Sequence, residues 1–112
     1  MYNAKTLPVN NKRSNQYVTN GILTAKPEEL IMKIYDFAII NSKKNNMAKT
    51  NEALQALINA LNFDHPAAKE ISANLLNIYL YCQEQMRKQK NDDVTRILSE
   101  LRDTWRTALL KR

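Results

Sequence analysis

Few residues in this chain have the type and spacing to do chemistry. His65 is the only histidine, and it stands between Asp64 and Pro66. A lone imidazole beside a helix-opening proline reads as a surface turn or cap, not as a metal ligand or a base. Cys82 is the only cysteine, so no intrachain disulfide and no cysteine-based zinc site can form. It falls in an apolar helical stripe with no second catalytic group near it in sequence, where a free thiol behaves as a small hydrophobe. The acidic pairs Glu28-Glu29 and Asp92-Asp93 sit at expected helix starts, where negative charge offsets the positive end of the dipole. No glycine-rich loop is present to cradle a phosphate. The sequence therefore implies a binding protein, with no enzymatic activity, metal or cofactor expected.

The elements that would carry these residues follow from composition and period. With 112 residues, one Gly and three Pro, the chain fits one domain and lacks the turn residues of a strand-rich fold. Residues 1–23 are rich in Asn, Lys, Ser and Thr, without a helical stripe, and are expected to form a partly ordered N-terminal arm. Residues 24–112 should form the folded domain.

Pro27 suits a first helical position, because its missing N–H has no partner there in any case. Leu30, Ile31, Ile34, Tyr35, Phe37, Ala38 and Ile40 follow at helical spacing, and Asn41 to Asn46 is a polar stop. A second helix is expected over 47–62, carrying Leu54, Leu57, Ile58 and Leu61. A third opens at Pro66 and runs to about Lys90, with Ile71, Leu75, Ile78, Cys82 and Met86 as its stripe. A fourth, capped by Asp92, carries Val94, Ile97, Leu98, Leu101, Trp105, Ala108 and Leu109. Four amphipathic helices with short connections give an all-α, antiparallel up-down-up-down four-helix bundle.

Two helices carry more apolar surface than one core stripe can use. On the third, Leu76, Tyr79 and Leu80 point partly away from the main stripe. On the first, Ile31, Tyr35 and Ile39 cannot all share the face of Leu30, Ile34 and Phe37. Such an excess is covered by the arm, covered by a second copy, or left as a groove for a partner. The pattern leaves these open, with a monomer or weak homodimer as the expected state.

The net charge of +6 is scattered, not clustered. A basic, helical nucleic-acid-binding or regulatory protein is therefore the alternative reading, without a clear recognition helix to support it. The N-terminus lacks the pattern of a secretory signal, and no apolar run is long enough to span a bilayer, so a cytoplasmic location without membrane insertion is expected.

Ordered motifs add a resemblance. Tyr17-Val18-Thr19-Asn20-Gly21-Ile22-Leu23-Thr24-Ala25-Lys26-Pro27-Glu28-Glu29-Leu30 resembles the entry segment of the flagellar secretion chaperone family, FliS. That family has a tyrosine, an Asn-containing stretch and then Thr-Ala-x-Pro-Glu-Glu-Leu. Ile34-Tyr35-Asp36, Asn51-Glu52, Leu61-Asn62, Tyr79-Leu80-Tyr81 and Leu101-Arg102-Asp103-Thr104-Trp105 resemble its later motifs in order. The stretches from Pro27 to the second helix and from Tyr81 to Trp105 are shorter than the family pattern. Both belong to connections at one end of an antiparallel bundle, so together they trim that end.

The resemblance implies a helical-bundle chaperone. It would bind the C-terminal region of flagellin, prevent premature polymerisation and deliver the cargo to the flagellar type III export apparatus, with the export gate as a further partner and no nucleic acid. It also implies that the segment before the first helix occupies part of the cargo surface in the free protein. Tyr17, Asn20 and Ile22 would belong to that cap. Ile31, Tyr35, Leu76, Tyr79, Leu80 and Trp105 become the candidate partner-binding residues, with ordinary core packing as the other role open to them.

Overall fold

A computed structural model describes residues 27–110. Among them are four helices and no strand: α1 (Pro27–Lys43), α2 (Met47–Asn59), α3 (Pro66–Arg87) and α4 (Asn91–Leu110). By backbone packing the chain divides into a unit of residues 1–33 and a unit of residues 34–112. Within residues 27–33, the first turns of α1 carry Glu28 and Glu29 in the dipole-compensating position.

In the larger unit, cross-helix bonds fix the directions of the four helices. Ser42 pairs with Thr95 and Asp36 with Arg102, so α1 and α4 run antiparallel. Asn51 meets Gln83, and the chain just past α2 meets Ser72, so α2 and α3 run antiparallel. The expected up-down-up-down bundle is what forms. Its core is Ile34, Tyr35, Ala38, Ile39, Ala53, Leu54, Leu57, Tyr79, Cys82, Met86, Val94 and Leu98. Each large aliphatic side chain in that set contributes about 1.5–3 kcal/mol by leaving water.

The two connections at the hairpin end, residues 44–46 and 88–90, share one design. Asn45 and Gln89 adopt left-handed φ of 55° and 61°. The amide of Asn46 then reaches the carbonyl of Asn41, and that of Lys90 the carbonyl of Gln85, each at 2.9 Å. The amides of Asn45 and Gln89 close the inner bonds to Ser42 and Met86. Both are Schellman endings, which satisfy the last helical carbonyls within three residues.

Helix α3 ends at Arg87, before the expected Lys90, in its Schellman turn, and three other boundaries differ from the sequence expectation for local reasons. Helix α1 runs through Asn41 and Ser42 because both polar side chains find partners there. Asn41 Nδ2 donates to the carbonyl of Phe37, and the Ser42 hydroxyl donates to the carbonyl of Ile39. Helix α2 stops at Asn59, short of Asn62; Asn62 instead accepts the amides of Asp64 and His65 and builds the corner into α3. Helix α4 opens at Asn91, not after Asp92, and leaves Asp92 and Asp93 in its first turn. Asn91 Nδ2 donates to the Ser42 carbonyl at 2.9 Å, which ties the two hairpins together.

Candidate partner-binding surface

His65 takes the capping role expected of it. It is the N-cap of α3, and its Nδ1 accepts the amide of Ala67 at 3.2 Å. Cys82 is fully buried, and burial pushes its thiol up to about 12, which keeps it protonated and unreactive at neutral pH. Among the described residues, no group of three His, Cys, Asp or Glu side chains could hold a metal ion.

The aromatic residues on which the sequence focused converge in the larger unit. Tyr35 of α1 and Tyr79 of α3 are 0 % and 2 % exposed, with their hydroxyls 2.6 Å apart. Their rings lie 6.4 Å apart at 58°, a tilted arrangement that favours edge against face. The indole N–H of Trp105 on α4 donates to the Tyr35 hydroxyl at 3.1 Å. Burial raises both tyrosine pKa values, and the neighbouring Tyr35 raises Tyr79 further. Both remain neutral hydrogen-bonding groups. Three helices thus meet through one chain of polar atoms inside an apolar core.

The remaining candidates lie nearer the surface. Ile31 is half-buried on the first turns of α1. On α3, Leu76 is half-buried and Leu80 is 47 % exposed. Leu76 lies in the row of Ser72 and Gln83, whose side chains bond to α2 and the segment after it. Trp105 is half-buried, with its N–H turned inward. Tyr17, Asn20 and Ile22 fall outside the described residues.

A second surface lies on the other flank of α3, and the sequence reading missed it. Asn77, Ile78 and Tyr81 of α3 and Ile97, Glu100, Leu101 and Thr104 of α4 line an open groove of about 510 Å³. Ile78, Ile97 and Leu101 look like core stripe in the sequence, yet all three stay half-exposed. A signal was available in the spacing of Tyr79 and Tyr81. Side chains two apart on a helix diverge by about 200°, so only one of the pair can face the core. Tyr79 does, and Tyr81 is left 49 % exposed.

Electrostatics do little to define either surface. Arg102 is held by Asp36 at 3.3 Å and Asp103 at 3.2 Å, and it ties α4 to α1. Two further ion pairs, Arg87–Glu84 and Arg96–Glu100, are exposed and weak. Apolar side chains at the surface of a helical bundle suit contact with another chain, whereas no cluster of metal-ligating side chains is seen among the described residues.

The chain as a whole matches the family model of FliS, flagellar protein FliS, over residues 9–112. It belongs to the FliS family, a chaperone family of flagellar assembly. No curated protein and no solved structure matches it. No helix among the described residues is long and apolar enough to cross a membrane.

Proposed function

We propose that the chain is a flagellin export chaperone of the cytoplasm. It holds the C-terminal segment of flagellin, keeps it from polymerising early and hands it to the flagellar type III export apparatus. It carries out no reaction of its own and needs no metal or cofactor. The observation that carries this reading is the set of apolar side chains left at the surface of α3 and α4: Leu76, Ile78, Leu80, Tyr81, Leu101 and Trp105. They lie outside the buried core that Tyr35, Leu54, Leu57, Met86 and Leu98 form. They suit an amphipathic helix, or a segment that folds as it docks.

Tyr35 and Tyr79 enter this reading as the layer beneath the contact surface. Ile31, half-buried on the first turns of α1, remains a candidate contact in its own right. Tyr17, Asn20 and Ile22, in an arm spanning residues 1–23, remain the proposed cap, and residues 24–112 the bundle that it serves. The working chaperone is a monomer or a weak homodimer, and the export gate is its second partner.

The test is calorimetric titration of the chain with the C-terminal flagellin segment at low and high salt. Docking on apolar surface should persist in high salt, carry a negative heat-capacity change and bring new helicity. The net charge of +6 motivates the competing reading, a nucleic-acid partner. In that case the segment shows no binding, and nucleic-acid binding weakens steeply as salt rises.

A further inference from the structure

Trp105 is the only tryptophan in the chain. An indole has a single hydrogen-bond donor, and here it is spent on the Tyr35 hydroxyl at 3.1 Å. Tyr35 is itself paired with Tyr79 at 2.6 Å. Neither tyrosine can meet a docked chain, since both are buried, whereas Trp105 is half-exposed on α4. We propose that Tyr35 and Tyr79 are positioning residues, whose buried hydroxyl pair turns the Trp105 N–H inward so that the indole offers an incoming partner only carbon, selecting an aliphatic or aromatic side chain there. This rests on the partner-binding reading above and names the chemistry of one contact within it.

The physical argument runs from the bonding outward. With its N–H satisfied inside, the exposed part of the indole can be covered by an apolar group without stranding a donor. A carbonyl or carboxylate at the same place would lose water and find no donor in return. If the inner acceptor is removed, the N–H must seek water, and the ring must turn towards solvent to reach it. The partner then meets an unfixed ring with a polar edge, and part of its binding free energy goes into ordering that ring. Tyr79 acts one bond further back. Its hydroxyl holds that of Tyr35, so the effect of removing it should be similar in direction and smaller.

The experiment uses the full chain with Tyr35→Phe, Tyr79→Phe and Leu57→Val. The phenylalanine variants keep the rings and the packing, and Leu57→Val trims a buried aliphatic side chain without removing any hydrogen-bonding group. The single tryptophan gives the first readout in the free protein. Tyr35→Phe should red-shift its emission and open it to acrylamide quenching, Tyr79→Phe should do so less, and Leu57→Val not at all. The second readout is calorimetric affinity for the flagellin C-terminal segment. It should fall about tenfold for Tyr35→Phe and about threefold for Tyr79→Phe, while Leu57→Val binds as the parent does.

Unchanged emission in both tyrosine variants overturns the proposal, and so does altered emission with unaltered affinity. Equal weakening by Leu57→Val also overturns it, since the effect would then be general destabilisation. A parent chain that does not bind the segment overturns the flagellin reading and this contact with it. That result is distinct from failure of the proposal alone, in which the parent and both tyrosine variants bind equally well.

Discussion

The two ends of the bundle in residues 34–112 are built differently. At the hairpin end, helices are joined by three-residue turns, and Ala38, Ile39, Leu54, Met86, Val94 and Leu98 are buried. Polar groups there are paired across helices, Ser42 with Thr95 and Asn91 with the Ser42 backbone. Towards the other end, the half of α3 before Tyr79 buries only Ser72, and α4 buries nothing from Ser99 to Leu109. Ile71 is 58 % exposed, while Leu75, Ile78, Leu101, Trp105 and Leu109 are half-exposed. The residues are as apolar as those of the packed end. What differs is their company. Helix α2 has 13 residues against 22 in α3, a deficit of about 13 Å of helix. Stability is thus concentrated at one end, and unspent apolar surface at the other. The Tyr35–Tyr79–Trp105 relay marks the boundary between them.

The largest expected effect separates the two ends on a single helix. Leu98→Ala removes a fully buried side chain and should cost about 2–4 kcal/mol in urea denaturation. Leu101→Ala, one turn on, removes a half-exposed one and should cost about 1 kcal/mol. The order should reverse for affinity to the flagellin segment, with Leu101→Ala the more damaging. Equal stability losses would mean that the far end is as tightly packed as the near one, and the comparison would fail.

The next effect tests how dry the packed end is, through alkaline pH. Cys82, Tyr35 and Tyr79 are all raised by burial, so each keeps its proton in the folded state after the unfolded chain has lost it. Between the two pKa values the unfolded state binds fewer protons, so stability falls as pH rises. It should be flat near neutrality and begin to drop above pH 9, where an unfolded cysteine ionises. From the cysteine alone, roughly 2 kcal/mol should be lost by about pH 10.5, with the tyrosines steepening the fall beyond that. Cys82→Ala should delay the onset by about one pH unit in denaturation midpoints recorded across the range. An onset that does not move would mean that water reaches the thiol.

Much of this was legible in the sequence, and the exceptions have physical causes. The four helices among the described residues, their directions and the roles of Pro27, His65 and Pro66 follow from local chemistry, which the chain carries within a few residues. The apolar excess on α3 was visible too, because period and composition reveal it. Its division into two flanks was not. Which apolar residue stays exposed depends on where a neighbouring helix ends, and α2 ends three residues earlier than its pattern suggests because Asn62 turns to bond the corner. Tyr35 and Tyr79 looked like surface excess for a related reason. Their polar tips would be costly to bury alone, and each supplies the other's partner.

A smaller effect tests the polar clamp of the packed end. Thr95→Val keeps the shape and deletes one hydroxyl of the pair with Ser42, 2.6 Å away. Ser42 still donates to the Ile39 carbonyl, so its buried hydroxyl keeps a partner. The expected cost is therefore about 1 kcal/mol in denaturation, the usual net worth of one hydrogen bond. A loss of several kcal/mol would show that the two hairpins depend on this bond for their docking. Affinity for the segment should not change, because the clamp lies at the opposite end from the proposed contact.

The smallest effect compares the two hairpins with each other. Asn45 and Gln89 hold the same left-handed turn position at φ 55° and 61°, where an L-residue's Cβ crowds the following carbonyl. Asparagine tolerates that region, because its short side chain bonds locally, whereas glutamine has no such relief. Gln89 is exposed, and its side chain forms no bond that glycine would forfeit among those seen here. Gln89→Gly should therefore stabilise the chain by about 0.5–1 kcal/mol, the conformational gain at the turn exceeding the added freedom of the unfolded chain. Asn45→Gly should gain at most a few tenths of a kcal/mol. Parallel denaturation curves of the two variants decide the matter. If Asn45→Gly gains as much as Gln89→Gly, the strain resides in the left-handed turn itself, whatever side chain occupies it.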